Sequence, residues 1–345
     1  MKLHRSSPIQ RPRIIRGKFS FRDDLKGLNG TLTIQAILKS KLHIGSGKMK
    51  LSYKFDLDVN KMAKSMKLDF QEFIKYSYVN ENGKVIRKPV IPGSTLKGLS
   101  RSRLELSFTG RSIPSCFAVS SRLTRMPRAG GHGWRHVRIW SPATLTNRDR
   151  QCSAVKRKLN EINLCKICDL FGAPGVVSRI YFGNLVLEGN VNDYIEELSL
   201  DFGEKLEVIR ENAKFTGEIS FHSINSVDLG LICISLKLHE DEPVLLGRSK
   251  YRARHALNGR RILLGRVNFK PLSFTFAPYS LNEARKLVES LNIAYEVVDG
   301  NKLQVTGDNA FNFAKMLAKI AFDEFPQLRN VNEVREVEKL ASGYG

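Results

Sequence analysis

Apolar and polar residues alternate along Leu32, Ile34, Ala36 and Leu38, a period of two that predicts a strand leading into the Gly45-Ser46-Gly47 turn. Leu68 to Tyr78 carries apolar residues at helical spacing and reads as a helix. Asn82-Gly83 then makes a turn before a strand through Val85, Ile86, Val90 and Ile91. Pro92 and Gly93 break that run, Ser94 is placed to cap a helix, and Thr95 to Phe108 carries leucines on one helical face. Prolines and glycines leave no clean period from Arg111 to Lys158, which predicts a long excursion from the core. Strands follow at Tyr181 to Leu187 and Lys214 to His222, then a helix at Val227 to Leu238, a turn at Leu245-Leu246-Gly247-Arg248 and a strand from Arg266 to Phe276. The tail adds a helix from Leu281 to Leu291, two strands joined at Asp299-Gly300 and a helix from Asn309 to Phe322.

Strand, helix and glycine turn thus occur twice. The economical reading is an α+β chain: a duplicated ferredoxin-like (RRM-like) fold with long basic insertions and a C-terminal αβ extension. The expected organisation is a basic arm at 1–22, a core at 23–270 with insertions at 48–88 and 110–160, and the extension at 271–345. An apolar content of 42% within 345 residues supports a sizeable core, and no apolar run is long enough to span a bilayer. The basic N-terminus lacks the apolar stretch of a secretory signal, so the expected location is the cytoplasm.

Net charge changes the picture most. An excess of +22 is too large for solubility alone, and it is concentrated. Asp149 is the one acid from Gly110 to Leu159 against eleven Lys and Arg, and Pro243 to Asn282 holds eight basic residues and no acid. Beyond Tyr279 ten acids face eight bases. Segments of this kind suit a tracked phosphate backbone, whereas the absence of an amphipathic basic stripe argues against a membrane partner.

Candidate chemistry falls at four places. A helix beginning at Gly93 and Ser94 presents unpaired amides, and Lys97 stands where a capping box would put an acid, with Arg101 one turn on; that combination suits a phosphate, although a plain capped helix fits too. Arg248, Lys250, Tyr251 and Arg252, like Trp134 and Trp140 among Arg135 and Arg138, mix aromatics with cations as single-strand binders do. The alternative is that each aromatic anchors its loop. Cys165 and Cys168 have metal-ligand spacing, and Cys116, Cys152, His132 and His136 lie in the basic excursion. A zinc set of Cys165, Cys168, Cys116 and His132 is expected, against a reduced buried cysteine pair beside Phe171. His43 is a candidate general base for RNA cleavage and Asp58, with Asp56, a candidate for divalent-ion or water-mediated cleavage; a packed histidine and a solvated turn are the plainer readings.

Three motifs together resemble the RAMP superfamily of repeat-associated RNA-binding subunits in type III CRISPR-Cas effector complexes. Leu42-His43-Ile44-Gly45-Ser46-Gly47 is similar to its first glycine turn. Pro89 to Arg101 is similar to its Ile-Pro-Gly-Ser-x-Leu-Lys-Gly-x-x-Arg motif, and Cys165 to Gly172 to its Cys-x-x-Cys-x-Leu-Phe-Gly signature. The resemblance implies an RNA-guided antiviral ribonucleoprotein in which this subunit holds guide RNA (crRNA) paired with complementary target RNA, alongside other effector subunits in a hetero-oligomeric filament. RNA contacts are then expected from His43, Gly45, Ser46, Gly47, Lys48, Gly93, Ser94, Lys97, Arg101, Arg248, Lys250, Tyr251 and Arg252. Asp56 and Asp58 lack the sequence context of the cleaving subunits. No activity is therefore expected of the isolated chain, and cleavage within the assembled complex stays open. A stand-alone metal-independent endoribonuclease using His43 and a zinc-stabilised protein-interaction module are the competing readings.

Overall fold

The computed structural model describes residues 12–23, 25–52, 67–79, 82–116, 134–140, 151–256 and 258–342. Strand β1 (Leu28–Leu38) alternates as expected and buries Leu32, Ile34, Ala36 and Leu38 completely. Strands β2 (Gly45–Ser52), β3 (Lys67–Phe73), β4 (Lys75–Val79) and β5 (Val85–Ile91) lead into α1 (Gly93–Ser107). Helices α2 (Trp134–Trp140) and α3 (Lys166–Phe171) precede strands β6 (Ile180–Phe182), β7 (Leu185–Leu187), β8 (Ile195–Ser199), β9 (Lys205–Ile209) and β10 (Lys214–Ile224), then α4 (Ser226–Ser235). The chain continues through β11 (Val244–Leu245), a hairpin of β12 (Ala253–His255) and β13 (Arg261–Leu263), and β14 (Arg266–Phe276). The last elements are α5 (Leu281–Ser290), β15 (Glu296–Val298), β16 (Lys302–Thr306), α6 (Gly307–Glu324) and α7 (Glu333–Ser342).

One antiparallel sheet organises this mixed α+β fold, in the order β15-β16-β14-β1-β10-β7-β5-β4, with β6 also on β10 and β11 also on β14. The path β1-α1-β7-β10-α4-β14 is a βαββαβ path, with β1 lying between β10 and β14. The two halves expected from the sequence therefore interleave in a single sheet. The apolar run of β5 pairs with β7, Ile91 opposite Leu185, and lengthens that sheet. The boundary expected after residue 270 falls inside β14, whose far end pairs with β16.

Residues 68–78 form strands β3 and β4. Leu68 and Phe70 alternate with Asp69 and Gln71, and Tyr76 and Tyr78 with Lys75 and Ser77, a period of two that prevails over the helical spacing. β3 belongs to a second, four-stranded sheet in the order β8-β9-β3-β2, in which β9 and β3 run parallel.

Helix α4 buries every residue from Asp228 to Ser235 and lies between α1 and α6. Asn225 and Asp228 form its capping box, with Asn225 Oδ1 accepting from the Asp228 amide at 2.9 Å. Gly230 lets α6 approach, since a Cβ there would lie 2.1 Å from the Leu317 carbonyl oxygen. The tail is thus bound into the core. We expect Gly230→Ala to lower stability by about 1–3 kcal/mol, seen as a lower denaturant midpoint; an unchanged midpoint would mean that α6 is not seated on α4.

Candidate functional site

Helix α1 starts two residues earlier than expected. Pro92 is its N-cap, extended at φ −61° and ψ 142°, and no side chain caps the helix. Gly93 is required by packing, because a Cβ would meet the Phe182 carbonyl oxygen at 1.9 Å, and its amide donates to Asn184 Oδ1 at 3.0 Å. Ser94, expected as the cap, is instead exposed in the first turn. Thr95 and Leu96 donate to the Pro92 carbonyl. Lys97 is half-buried on the same turn, and burial together with the charge of Arg101 holds its ammonium below the ordinary value.

Arg101 does not stand beside Lys97 as a second phosphate ligand. Its Nε donates to Glu105 Oε1 at 2.9 Å, Nη1 to the Gly172 carbonyl at 3.0 Å and Nη2 to Cys168 Sγ at 3.3 Å. A carboxylate one helical turn away and a carbonyl in the Cys-x-x-Cys segment draw it inward. It ends at a cysteine cluster.

The sulfurs of Cys116, Cys152, Cys165 and Cys168 all lie within 4.8 Å of one another, and all four residues are buried and free of disulfides. Cys165 is the N-cap of α3 and Cys168 lies in its first turn. Cys116 follows the short strand Ser112–Ile113, which pairs with Arg13–Ile14 of the N-terminal arm. Cys152 accepts a hydrogen bond from the Cys165 amide at 3.2 Å and from Arg16 Nε at 3.4 Å, and hydrogen bonds from the neighbouring thiols push its own thiol far below the usual range. Two guanidiniums therefore aim at the sulfurs, a donor set suited to thiolates. Cys152 takes the fourth position expected of His132, which lies outside the described residues, as does Asp58. A lone cysteine thirteen residues before Cys165 carries no spacing signature, so only its type and its place in the basic excursion pointed to it.

His43 is fully buried, which removes it as a surface base. Its Nδ1 lies 2.7 Å from the Glu207 carbonyl, an acceptor only, so Nδ1 carries the proton of the neutral ring. Burial lowers its pKa, and Phe73 packs edge-on at 6.3 Å. Gly45 and Gly47 open β2 at the surface, Gly47 with φ +77°, and Ser46 is half-buried. Lys48 sits in the β2 backbone, and its side chain is outside the described set.

The loop after β11 divides its charges. Arg248 pairs with Glu204 Oε1 at 2.6 Å and Gln71 Oε1 at 2.6 Å, and Arg254 with Asp201 and Glu204. Lys250 lies 5.2 Å from the Tyr251 ring, and burial with the charge of Arg103 pushes its pKa down to about 8. Tyr251 packs on the cluster of Leu106, Trp140, Leu245 and Val337. Lys250 and Tyr251 thus turn inward because α7 offers an apolar wall there. Arg252 stays exposed. Trp140 is buried with the Arg103 guanidinium 5.4 Å from its ring centroid, so this tryptophan anchors its segment.

The RAMP superfamily profile matches residues 36–318, and the chain belongs to that superfamily. No curated protein matches the sequence. Among solved structures the chain is similar to Thermofilum pendens Csc2, at 13% identity over 92% of this chain and 82% of that one with a TM-score of 0.33. It is also similar to a chain of a Type IV-B CRISPR complex, at 11% identity over 70% of this chain and 90% of that one with a TM-score of 0.40.

Because His43 is neutral when folded and protonates more readily when unfolded, its burial subtracts stability as pH falls through about 6.5, the unfolded value, and adds nothing above it. We expect the urea midpoint of the wild type to decline on acidification from pH 7 to 5.5 more steeply than that of His43→Gln. Equal slopes would show that the imidazole titrates freely.

Proposed function

We propose that this RAMP protein is an RNA-binding subunit of a CRISPR ribonucleoprotein and holds the guide backbone without reading its sequence. The observation that carries the reading is the sorting of its arginines. Arg101, Arg103, Arg179 and Arg254 are committed to protein partners, whereas Arg252, Arg260 and Arg261 form no ion pair among the described residues. Those three lie in the acid-free segment between Pro243 and Asn282. The exposed Ser94 with Lys97 and the open glycines at 45 and 47 supply further approach points for phosphate. The type III assignment rests on the three sequence motifs, and a paired target strand and filament neighbours follow from that assignment. The two halves expected from the sequence together make one ferredoxin-like βαββαβ path, to which α5, β15, β16 and α6 add along β14. Burial of His43 weighs against a stand-alone nuclease.

The reading is tested by RNA affinity as a function of salt. We expect Lys97→Ala with Arg252→Ala to weaken binding equally across unrelated single strands and to lower the log–log salt slope by about 0.7 for each phosphate that is no longer neutralised. A loss confined to one sequence would contradict backbone recognition.

The four thiols also fit zinc. Tetrahedral Zn–S bonds of about 2.3 Å place sulfurs roughly 3.8 Å apart, within reach of the observed cluster, and Arg16 and Arg101 would answer the net negative charge that four thiolates keep around a divalent zinc. Bound zinc would act structurally, cross-linking segments that are distant in sequence. We expect Cys152→Ser to lower the metal content and the thermal midpoint, and a chelator to destabilise the wild type but not the variant. A wild-type midpoint insensitive to chelation would remove the metal from the account.

A further inference from the structure

The central sheet has two open ends, and they are built differently. At one end β15 is three residues long, holds Glu296 and runs into Asp299, so shortness and charge guard it against further pairing. At the other end β4 lacks both protections. Its sequence, Lys75-Tyr76-Ser77-Tyr78-Val79, contains no proline, and its one charge is answered by Glu207, whose carboxylate lies 2.6 Å from Lys75 Nζ.

Antiparallel pairing with β5 sets which backbone groups are left over. Lys75 to Val79 lie opposite Pro89 to Val85, and the Val90 amide donates to the Ile74 carbonyl at 3.2 Å. Alternation from that bond turns the backbone groups of Tyr76 and Tyr78 toward β5 and those of Lys75, Ser77 and Val79 outward. Pro89, which has no N–H, falls opposite an outward residue and costs the ladder nothing. Among the described residues no strand lies on that outer side. The edge thus offers amides and carbonyls in turn, repeating about every 7 Å.

Side chains indicate what suits such an edge. Val79 and Val85, directly opposite each other, are 70% and 63% exposed, and Tyr76 is exposed beside them. Arg87 and Lys88 form no ion pair among the described residues. A phosphate backbone brings acceptors for the amides but leaves the carbonyls and the valines unanswered. An extended polypeptide brings N–H and C=O groups at the matching repeat. A second copy of this chain would add its own charge of +22 to the contact, so an acidic partner is favoured over self-pairing.

We propose that β4 receives an extended acidic segment of a partner protein as an added strand of the sheet. Its main chain pairs with Lys75, Ser77 and Val79, its apolar side chains lie beside Val79 and Val85, and its carboxylates are drawn by Arg87 and Lys88.

The test uses the full chain and a fluorescein-labelled ten-residue peptide of alternating valine and glutamate. We expect saturable binding by anisotropy, at least tenfold weaker when lysine replaces glutamate in the peptide. With the peptide bound, hydrogen exchange at the amides of Lys75, Ser77 and Val79 should slow at least fivefold, while exchange from Val85 to Lys88 stays unchanged. Ser77→Pro removes one outward amide without touching the ladder to β5, and should weaken peptide binding at least tenfold with the thermal midpoint unmoved. Ser77→Glu keeps the backbone but sets a carboxylate on the edge, and should weaken binding to a similar extent by repulsion. No peptide binding, binding that both variants leave unchanged, or binding without protection of the three amides overturns the proposal. So does a concentration-dependent dimer that Ser77→Pro dissolves, which would assign the edge to a second copy, or a loss of RNA affinity in Ser77→Pro, which would assign it to nucleic acid.

Discussion

Four buried cysteine sulfurs, approached by two guanidiniums, are the constraint on which the junction of the N-terminal arm, α1 and α3 depends. Cys116 and Cys152 bracket the long basic excursion, Cys165 and Cys168 begin α3, Arg16 comes from the N-terminal arm and Arg101 from α1. Five stretches of chain therefore meet at one point. Asp169, the residue after Cys168, strengthens the junction: its carboxylate accepts from the Ser20 amide at 3.0 Å and pairs with Arg22 and Arg179. Arg179 continues to Asp228 at the capped start of α4. An ionic chain thus runs from the arm through the cysteine cluster to the central helix. Buried pairs of this sort add little net stability against an apolar core, but breaking one is costly, which makes the arrangement hard to leave once formed.

The same economy governs the net charge. A chain at +22 offers RNA far fewer free cations than the count suggests, because many arginines are structural. Arg103 is buried against Glu333 and Trp140, and Arg254 is pinned by two acids. Among the described residues, Arg252, Arg260 and Arg261, on and beside the β12–β13 hairpin, stay outward without an ion pair. The proposed grip on RNA comes from this remainder, and the internal pairs serve it by fixing the loops that carry it.

Much of this was legible in the sequence. Alternation located β1, β10 and β14, and the Pro92-Gly93 break located α1. Four features were not. Leu68 to Tyr78 satisfies helical and strand spacing alike, and only pairing with β2, β5 and β9 decides for strands. Ser94 has the chemistry of a cap, yet the close approach of the Phe182 carbonyl draws Gly93 into the helix and leaves Pro92 at its boundary. Arg101 shares a helical face with Lys97, but its guanidinium reaches past that face to Glu105 and, across long sequence separations, to Gly172 and Cys168. His43 likewise ends an alternating strand on which a surface position was equally open, and the β9 backbone covers it.

Hydrogen–deuterium exchange on the chain with the proposed zinc added and then chelated tests the central claim most directly. If the cysteine cluster ties the arm to α1 and α3, stripping the metal should raise exchange together in residues 12–22, 93–107, 112–116 and 152–171 while α4, α6 and β14 keep their protection. Unchanged exchange in those segments, or uniform loss across the whole chain, would contradict the claim that this junction ties the arm to α1 and α3.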